Sequence, residues 1–319
     1  MRRLFAALCA VLLLAATLFS VPAQAADPIK MVVPFAAGGP VDALARILAH
    51  ELSTRLATDV VVENRGGAGG LLAVDQVARA PADGRTILFA SVGAFVITNA
   101  LKPQPGYDQL KTFAPVARIG AAPTLFIVKG DSAVKTLGDL ITKAKADSKM
   151  SYGSAGVGTT MHIAAEQLNH SAGTRITHVP YRGIAPALND IMGGHIDFLN
   201  GDITVLYPLV KQGTIRALAV AGNERSTLLP DVPTAAELGY KDVYMENWYG
   251  ALVPAATPPD VVGKLEAAIM DAVNTPAVWE KIAANGVYGP QDAKTFRAQI
   301  EKDIPYWNAQ IKTLGITAE

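Results

Sequence analysis

Two glycine-rich segments stand where a strand gives way to a helix. They are Pro34-Phe35-Ala36-Ala37-Gly38-Gly39-Pro40-Val41-Asp42 and Tyr152-Gly153-Ser154-Ala155-Gly156-Val157-Gly158-Thr159-Thr160-Met161-His162. Glycine lets the backbone approach a ligand closely and adopt positive φ. A helix start offers unpaired N–H groups and about half a positive charge. Such a loop suits a carboxylate, phosphate or sulfate. Two of them facing across a cleft can hold an anion with no Arg or Lys in either loop. The hydroxyls of Ser154, Thr159 and Thr160 add directional donors and favour a planar carboxylate. The alternative for either segment is an ordinary strand-to-helix turn with a hydroxyl cap.

Ser91 follows the strand Thr86 to Ala90, and ligands of open parallel sheets bind beyond the carboxyl ends of strands. Asp202, after Asn200 and Gly201, ends another strand. It either caps the next helix or reaches the cleft. His178-Val179-Pro180-Tyr181-Arg182-Gly183 brings an aromatic ring and a cation to a further strand end. His162 and Glu166 lie one helical turn apart, but no third ligand has zinc-like spacing, so they read as a capping or surface pair rather than a metal site. Gly153-Ser154-Ala155-Gly156 is no nucleophile elbow, because the first glycine of G-x-S-x-G falls at Tyr152. Gly66-Gly67-Ala68-Gly69-Gly70 has no Lys-Ser/Thr after it and reads as a structural turn near the cleft rim.

The elements that position these loops alternate. A strand at Ile29 to Val33 leads to a helix from about Asp42 to Arg55, with Leu44, Leu48, Leu52 and Leu56 as its buried stripe. The strand Val60 to Glu63, a helix Leu71 to Arg79 and the strand Thr86 to Ala90 follow. This order implies parallel strands with right-handed crossovers. Two apolar stretches, Val116 to Ile119 and Thr124 to Val128, come without a long helix between them and mark the crossing into a second lobe. That lobe repeats the plan, with strands expected at Met150 to Tyr152, Ile176 to Val179, Ile196 to Leu199 and Ile215 to Ala221. After Gly222 the chain is expected to return to the first lobe, which the Leu229 to Pro233 segment, a Trp248-Tyr249-Gly250 strand and two C-terminal helices complete. The expected architecture is α/β and two-lobed, of the type II periplasmic-binding (Venus-flytrap) kind, each lobe a mostly parallel sheet flanked by helices. Residues 26–120 with 224–319 form one lobe and 121–223 the other.

The first 25 residues predict the compartment. Arg2 and Arg3 precede an apolar run from Leu4 to Phe19, and Ala23-Gln24-Ala25 offers a small-x-small cleavage site, the layout of a secretory signal peptide. The run is shorter than the roughly 20 residues of a bilayer span. Cys9 is a poor acylation site because Leu8 precedes it. Cleavage after Ala25 leaves 294 residues with 26 basic and 28 acidic side chains, a formal charge of −2. That balance favours no nucleic-acid or anionic-membrane partner. The only Cys leaves with the signal, which removes disulfide, Cys-zinc and Cys-nucleophile chemistry. No cofactor is expected.

These same segments, with Ala45-Arg46, Glu63-Asn64-Arg65 before the second glycine cluster, and Tyr181-Arg182-Gly183 with Pro186-Ala187, resemble the substrate-binding proteins of tripartite tricarboxylate transporters, the Bug or TctC family. The resemblance covers nearly the whole mature chain. It implies a two-lobed periplasmic receptor that closes on its ligand, both loops clamping one carboxylate partly through bridging waters. Carried over by position, it marks Phe35, Ala36, Ala37 and Gly38 in the first loop, and Ser154, Gly156, Gly158, Thr159 and Thr160 in the second. The family's first loop typically has proline where Ala36 or Ala37 stands. It often has Phe-Asp or a similar pair where Asn200, Gly201 and Asp202 stand. The first departure changes loop stiffness, and the second leaves the distal pocket and the ligand open.

The expected function is capture of a small mono- or dicarboxylate and its delivery to the membrane subunits of a tripartite transporter, by a periplasmic monomer that is not membrane-embedded. The rival readings are a sensor receptor feeding a kinase and a cleft hydrolase. The missing elbow, metal set and Cys weigh against the hydrolase.

Overall fold

The computed structural model describes residues 27–103 and 107–317. The expected signal at residues 1–25, Cys9 included, lies outside them. Ile29–Val33 forms β1, with Met31, Val32 and Val33 fully buried. Helix α1 follows at Pro40–Arg55, two residues earlier than expected, because Pro40 sits in the first turn where its missing N–H costs nothing. Leu44, Leu48 and Leu52 are buried as the stripe requires, while Arg46 and His50 are exposed. Next come β2 (Val60–Asn64), α2 (Leu71–Ala78) and β3 (Thr86–Ser91), with β1 parallel to both β2 and β3.

The two apolar stretches expected near the crossing are one strand, β4, spanning Phe113–Lys129. The second lobe then contains α3 (Leu137–Ala146), β5 (Ser151–Ser154), α4 (Thr160–Ala172), β6 (Thr177–Pro180), α5 (Ile184–Gly193), β7 (Phe198–Asp202), α6 (Ile203–Lys211) and β8 (Ile215–Ala221). The chain closes with β9 (Glu246–Pro254), α7 (Pro259–Val273), α8 (Pro276–Ala283), β10 (Gln291–Asp292) and α9 (Ala293–Leu314), one more C-terminal helix than expected.

The strands run in the order β2-β1-β3-β9-β4-β7-β5-β6, with β8 and β10 also on β4. Each lobe has its three parallel strands, β2-β1-β3 and β7-β5-β6. What joins them is antiparallel. β9 pairs both β3 and the first part of β4, and the last part of β4 pairs β7 and β8. β4 is therefore shared, and it bends at two register shifts, one between Arg118 and Gly120. Gly120 has φ +156°, and a Cβ there would fall 2.4 Å from Val287 Cγ1 and 2.9 Å from the Tyr288 carbonyl oxygen, so the bend admits no side chain.

Two apolar cores lie on the two faces of this sheet. Along β3, Leu88 and Ala90 enter one and Ile87 and Phe89 the other. Burial on both faces explains why these strands read as unbroken apolar runs.

Two expectations differ from what is observed. β7 runs on through Asn200 and Gly201 to Asp202, past the apolar signal that stops at Leu199, because Thr124 to Phe126 of β4 pair with those three residues. The Leu229–Pro233 segment does not return to the first lobe. Val220 of β8 donates to Pro233, and the Ala235 N–H donates back to Val220, so this segment lies along the second lobe until β9 begins at Glu246. No helix among the described residues is long and apolar enough to cross a membrane.

Candidate functional site

The carboxyl ends of β1, β3, β5, β6 and β7 all turn towards one cavity of about 290 Å³. Phe35, Ala36, Ala37, Gly38, Ser91, Thr159, Thr160 and Asp202 line it. Most of the expected contacts, drawn from both lobes, are thus brought to one space.

The first loop is braced from behind. The Gly38 N–H donates to Asp42 Oδ2 at 2.9 Å, and Asn64 Nδ2 donates to Asp42 Oδ1 and to the Phe35 carbonyl. Arg46 pairs with the same carboxylate at 2.9 Å. Burial pushes the Asp42 carboxyl up, but the bonds from Arg46, Gly38 and Asn64 outweigh it and hold the group below the ordinary carboxylate value.

Three expected contacts, Ser154, Gly156 and Gly158, do not line the cavity. They form the scaffold of the second loop. Ser154 has no exposed surface, and its hydroxyl donates to the Gly156 carbonyl at 3.0 Å and accepts from the Gly156 N–H at 3.1 Å. His178 Nε2 lies 2.6 Å from the same oxygen. Ser154 and His178 are not among the residues that line the cavity. The Gly158 N–H donates to His162 Nδ1 at 3.1 Å, and a Cβ on Gly158 would fall 2.2 Å from Leu101. His162 and His178 stack with ring centres 4.0 Å apart, and Tyr152 stacks on His178 at 4.9 Å. Burial, together with the second ring, pushes His162 down to about 3. Burial pushes His178 down to about 4. Both are neutral at neutral pH.

Four helices begin at the cavity. Asp202 caps α6, and three have no side-chain cap: α1 at Gly39, α4 at Thr159 and α5 at Gly183. Their first-turn N–H groups have no intrahelical acceptor. The Thr159 hydroxyl does not serve as a free donor, because it donates to the Gly156 carbonyl at 2.7 Å. The hydroxyls of Ser91 and Thr160 have no hydrogen-bond partner among the described residues, although Ser91 is 2% and Thr160 8% exposed.

Asp202 fills both roles left open for it. It caps α6, accepting from the Thr204 N–H at 3.0 Å, and it lines the cavity. Asn247 Nδ2 donates to it at 3.1 Å, and the Tyr249 hydroxyl donates to the same oxygen. Burial pushes its carboxyl up despite these three donors, and burial beside Asp202 pushes the Tyr249 phenol far above its ordinary value.

The α5 start at Gly183 to Ala185, with Arg182, Ile184 and Pro186, was not among the expected contacts; neither was Asn247. The signals existed. Pro186 two residues past Ile184 fits the first turn of a helix, and Asn247 is a polar residue, only 5% exposed, beside Glu246 at the start of a strand that is apolar from Trp248 on. Arg182 is exposed and makes no ion pair among the described residues.

Two lobes joined by antiparallel strands, with helix starts from both facing one cavity, define a periplasmic solute-binding protein. The solved periplasmic binding protein BugD is similar over 92% of this chain and 99% of its own, with a TM-score of 0.84 and 33% identity. Residues 44–316 match the tripartite tricarboxylate transporter family receptor model, and the chain belongs to that family. Rhodopseudomonas palustris MatC with bound malate is 30% identical, with a TM-score of 0.83 over 89% of this chain and 98% of its own. A second R. palustris protein, solved with adipate, is 31% identical, with a TM-score of 0.86 over 91% and 98%.

Proposed function

We propose that this protein is the periplasmic receptor that captures a small mono- or dicarboxylate in this cavity and delivers it to a tripartite tricarboxylate-type membrane transporter. The observation that carries the reading is the meeting of three uncapped helix N-termini with the unpartnered Ser91 and Thr160 hydroxyls around one space. Helix starts favour anions, and neutral donors hold a carboxylate without fixing its partner as a buried cation does. Phe35, Ala36, Ala37 and Gly38 supply the first-lobe wall. Thr159 and Thr160 supply the second-lobe wall, and Ser154, Gly156 and Gly158 support it. The α5 start beside Arg182 gives a second anionic group a place, and the cavity is at the small end of ligand pockets, about 300–1,000 Å³. Malate and adipate bound to two similar solved proteins support this ligand class.

The proposal includes export through the Arg2 to Ala25 signal and action as a monomer. The moving bodies are residues 26–120 with the C-terminal part, against 121–223. The 224–245 stretch travels with the second body, and the bend at Gly120 is the natural hinge. The test is a thermal-shift screen of carboxylates, malate and adipate first, followed by small-angle scattering with the best ligand. A ligand at 100 times its dissociation constant adds about 2.7 kcal/mol of stability. If no carboxylate shifts the melting point while an amine or a sugar does, the reading is wrong.

A further inference from the structure

Beneath the second loop lie two histidines that take no part in lining the cavity, one buried and one partly buried. His162 belongs to the first turn of α4, is 6% exposed, and stacks on His178 from the neighbouring strand β6. Its Nδ1 accepts the N–H of Gly158, a glycine held at φ +79° immediately before the Thr159 N-cap. The first loop has the same device at the same spacing. Gly38, at φ +87° immediately before the Gly39 N-cap, donates to Asp42 four residues on.

In both lobes a left-handed glycine is tied to a side chain inside the helix it introduces. That tie fixes how the chain enters the helix, and so where the first-turn N–H groups point. The acceptor differs for an electrostatic reason. Asp42 is a buried carboxylate that Arg46 neutralises. No Lys or Arg makes a hydrogen bond or ion pair with His162 among the described residues. The groups packed around it are Tyr152 from β5, His178 from β6 and, one turn along α4, Glu166, which accepts from the Tyr152 hydroxyl. A carboxylate at position 162 would be a buried, unpaired charge. A neutral imidazole accepts the same N–H without one, and the stack of Tyr152, His178 and His162 holds its ring in place.

We propose that His162, oriented by its stack on His178, is the positioning residue of the second-lobe binding loop: its neutral Nδ1 holds Gly158 so that the first-turn N–H groups of α4 face the ligand. This rests on the carboxylate-receptor reading, and its test begins without any ligand.

Amide hydrogen exchange of residues 156–161 is measured at pH 7 in wild type, H162L and H162N. Asn carries an acceptor close to the Nδ1 position, and Leu fills the space without one. Loss of one hydrogen bond of about 1.4 kcal/mol corresponds to on the order of tenfold faster exchange. The expectation is that Gly158 exchanges about tenfold faster in H162L and within about twofold of wild type in H162N. Malate and adipate binding should follow the same order, weakest in H162L and restored in H162N. Equal exchange in H162L and wild type, or H162N as fast as H162L, overturns the proposal. If H162L does not fold, the wild-type protein decides. Its ¹⁵N spectrum must show His162 Nδ1 unprotonated and coupled across the hydrogen bond to the Gly158 amide, and absence of that coupling overturns the proposal. If no carboxylate in the screen binds wild type, the ligand class is wrong while the exchange result still judges the loop.

Discussion

Asp42 and His162 hold matching places in the two lobes: each accepts the N–H of a left-handed glycine four residues earlier, Gly38 at 2.9 Å and Gly158 at 3.1 Å. One brace is anionic and salt-bridged, the other neutral and stacked. The two halves of the site therefore respond differently to substitution and to pH.

Asp42→Ala removes the acceptor for Gly38, Asn64 and Arg46 together. It leaves the Gly38 N–H with no partner and the Asn64 amide with only the Phe35 carbonyl, which costs roughly 1–3 kcal/mol. Chemical unfolding should show that loss, and carboxylate affinity should fall with it as the Phe35 to Gly38 loop loosens. Asp42→Asn keeps one acceptor and should lie between. A full-strength ligand response in Asp42→Ala would show that this loop does not depend on its brace.

The histidine pair makes stability fall in mild acid. His162 and His178 are pushed from the ordinary 6.5 down to about 3 and about 4. Between those values and 6.5 the unfolded chain binds protons that the folded chain refuses. Their stabilising effect is complete above pH 6.5 and is lost progressively as the pH falls, at up to about 1.4 kcal/mol per pH unit for each ring. Asp42, held below its ordinary value, adds its loss only at lower pH. Urea unfolding at pH 7, 5.5 and 4.5 should give a steep decline in wild type and a shallower one in a variant with Asn at both positions. Parallel declines would show that the rings are already charged in the fold.

Much of this was legible in the sequence, and what was not has physical causes. The alternation of Leu-striped helices with β-branched runs fixed the parallel strands, and glycines before helix starts marked both loops. Periodicity could not show that β4 is continuous, because Pro123 and the glycine at 120 read as a break, while β9 and β10 supply the pairing that carries the strand through. It also could not place Leu229–Pro233, whose partner is the single bridge between Val220 and Thr234. In the site, residue type and the family resemblance marked Ser154, Gly156 and Gly158 as contacts, but only the Ser154–Gly156 hydrogen bonds and the Gly158–His162 bond show that they build the loop rather than line the cavity. Arg182 stood out as a cation at a strand end, but nothing in a turn sequence shows that it faces the cavity, and Asn247 was missed as a lone amide at the start of a strand that is apolar from Trp248 on.

Thr159 and Thr160 are neighbours with opposite expectations. The Thr159 hydroxyl is used inside the loop, donating to Gly156 at 2.7 Å, whereas the Thr160 hydroxyl has no partner among the described residues and lines the cavity. Thr159→Val should lower stability by about 1 kcal/mol and weaken binding only through the loop. Thr160→Val should leave stability nearly unchanged. It should weaken carboxylate binding by about 10- to 150-fold, the worth of a hydrogen bond to a charged group at roughly 1.5–3 kcal/mol. Calorimetry and melting curves on the two variants separate the roles, and a larger affinity loss in Thr159→Val would reverse them.

Asp202 is expected to couple ligand binding to a proton. Its carboxyl is buried and pairs with no Lys or Arg among the described residues, and burial raises its pKa against the pull of Tyr249, Asn247 and Thr204. Tyr249, raised far above its ordinary value, stays protonated and cannot relieve the charge. A carboxylate entering the same cavity adds a second negative charge in a site of low dielectric, which raises Asp202 further. In the pH interval between its free and bound values, binding must therefore take up part of a proton, and affinity must rise as the pH falls through that interval. Titration calorimetry in buffers of different ionisation enthalpy should show a binding heat that varies linearly with the buffer, with the sign of proton uptake. Asp202→Asn removes the titrating group while keeping an oxygen for the Thr204 cap, and its binding heat should be independent of the buffer. A wild-type heat that is equally independent would mean that the ligand's charge lies far from Asp202, at the Gly183 end of the cavity beside Arg182.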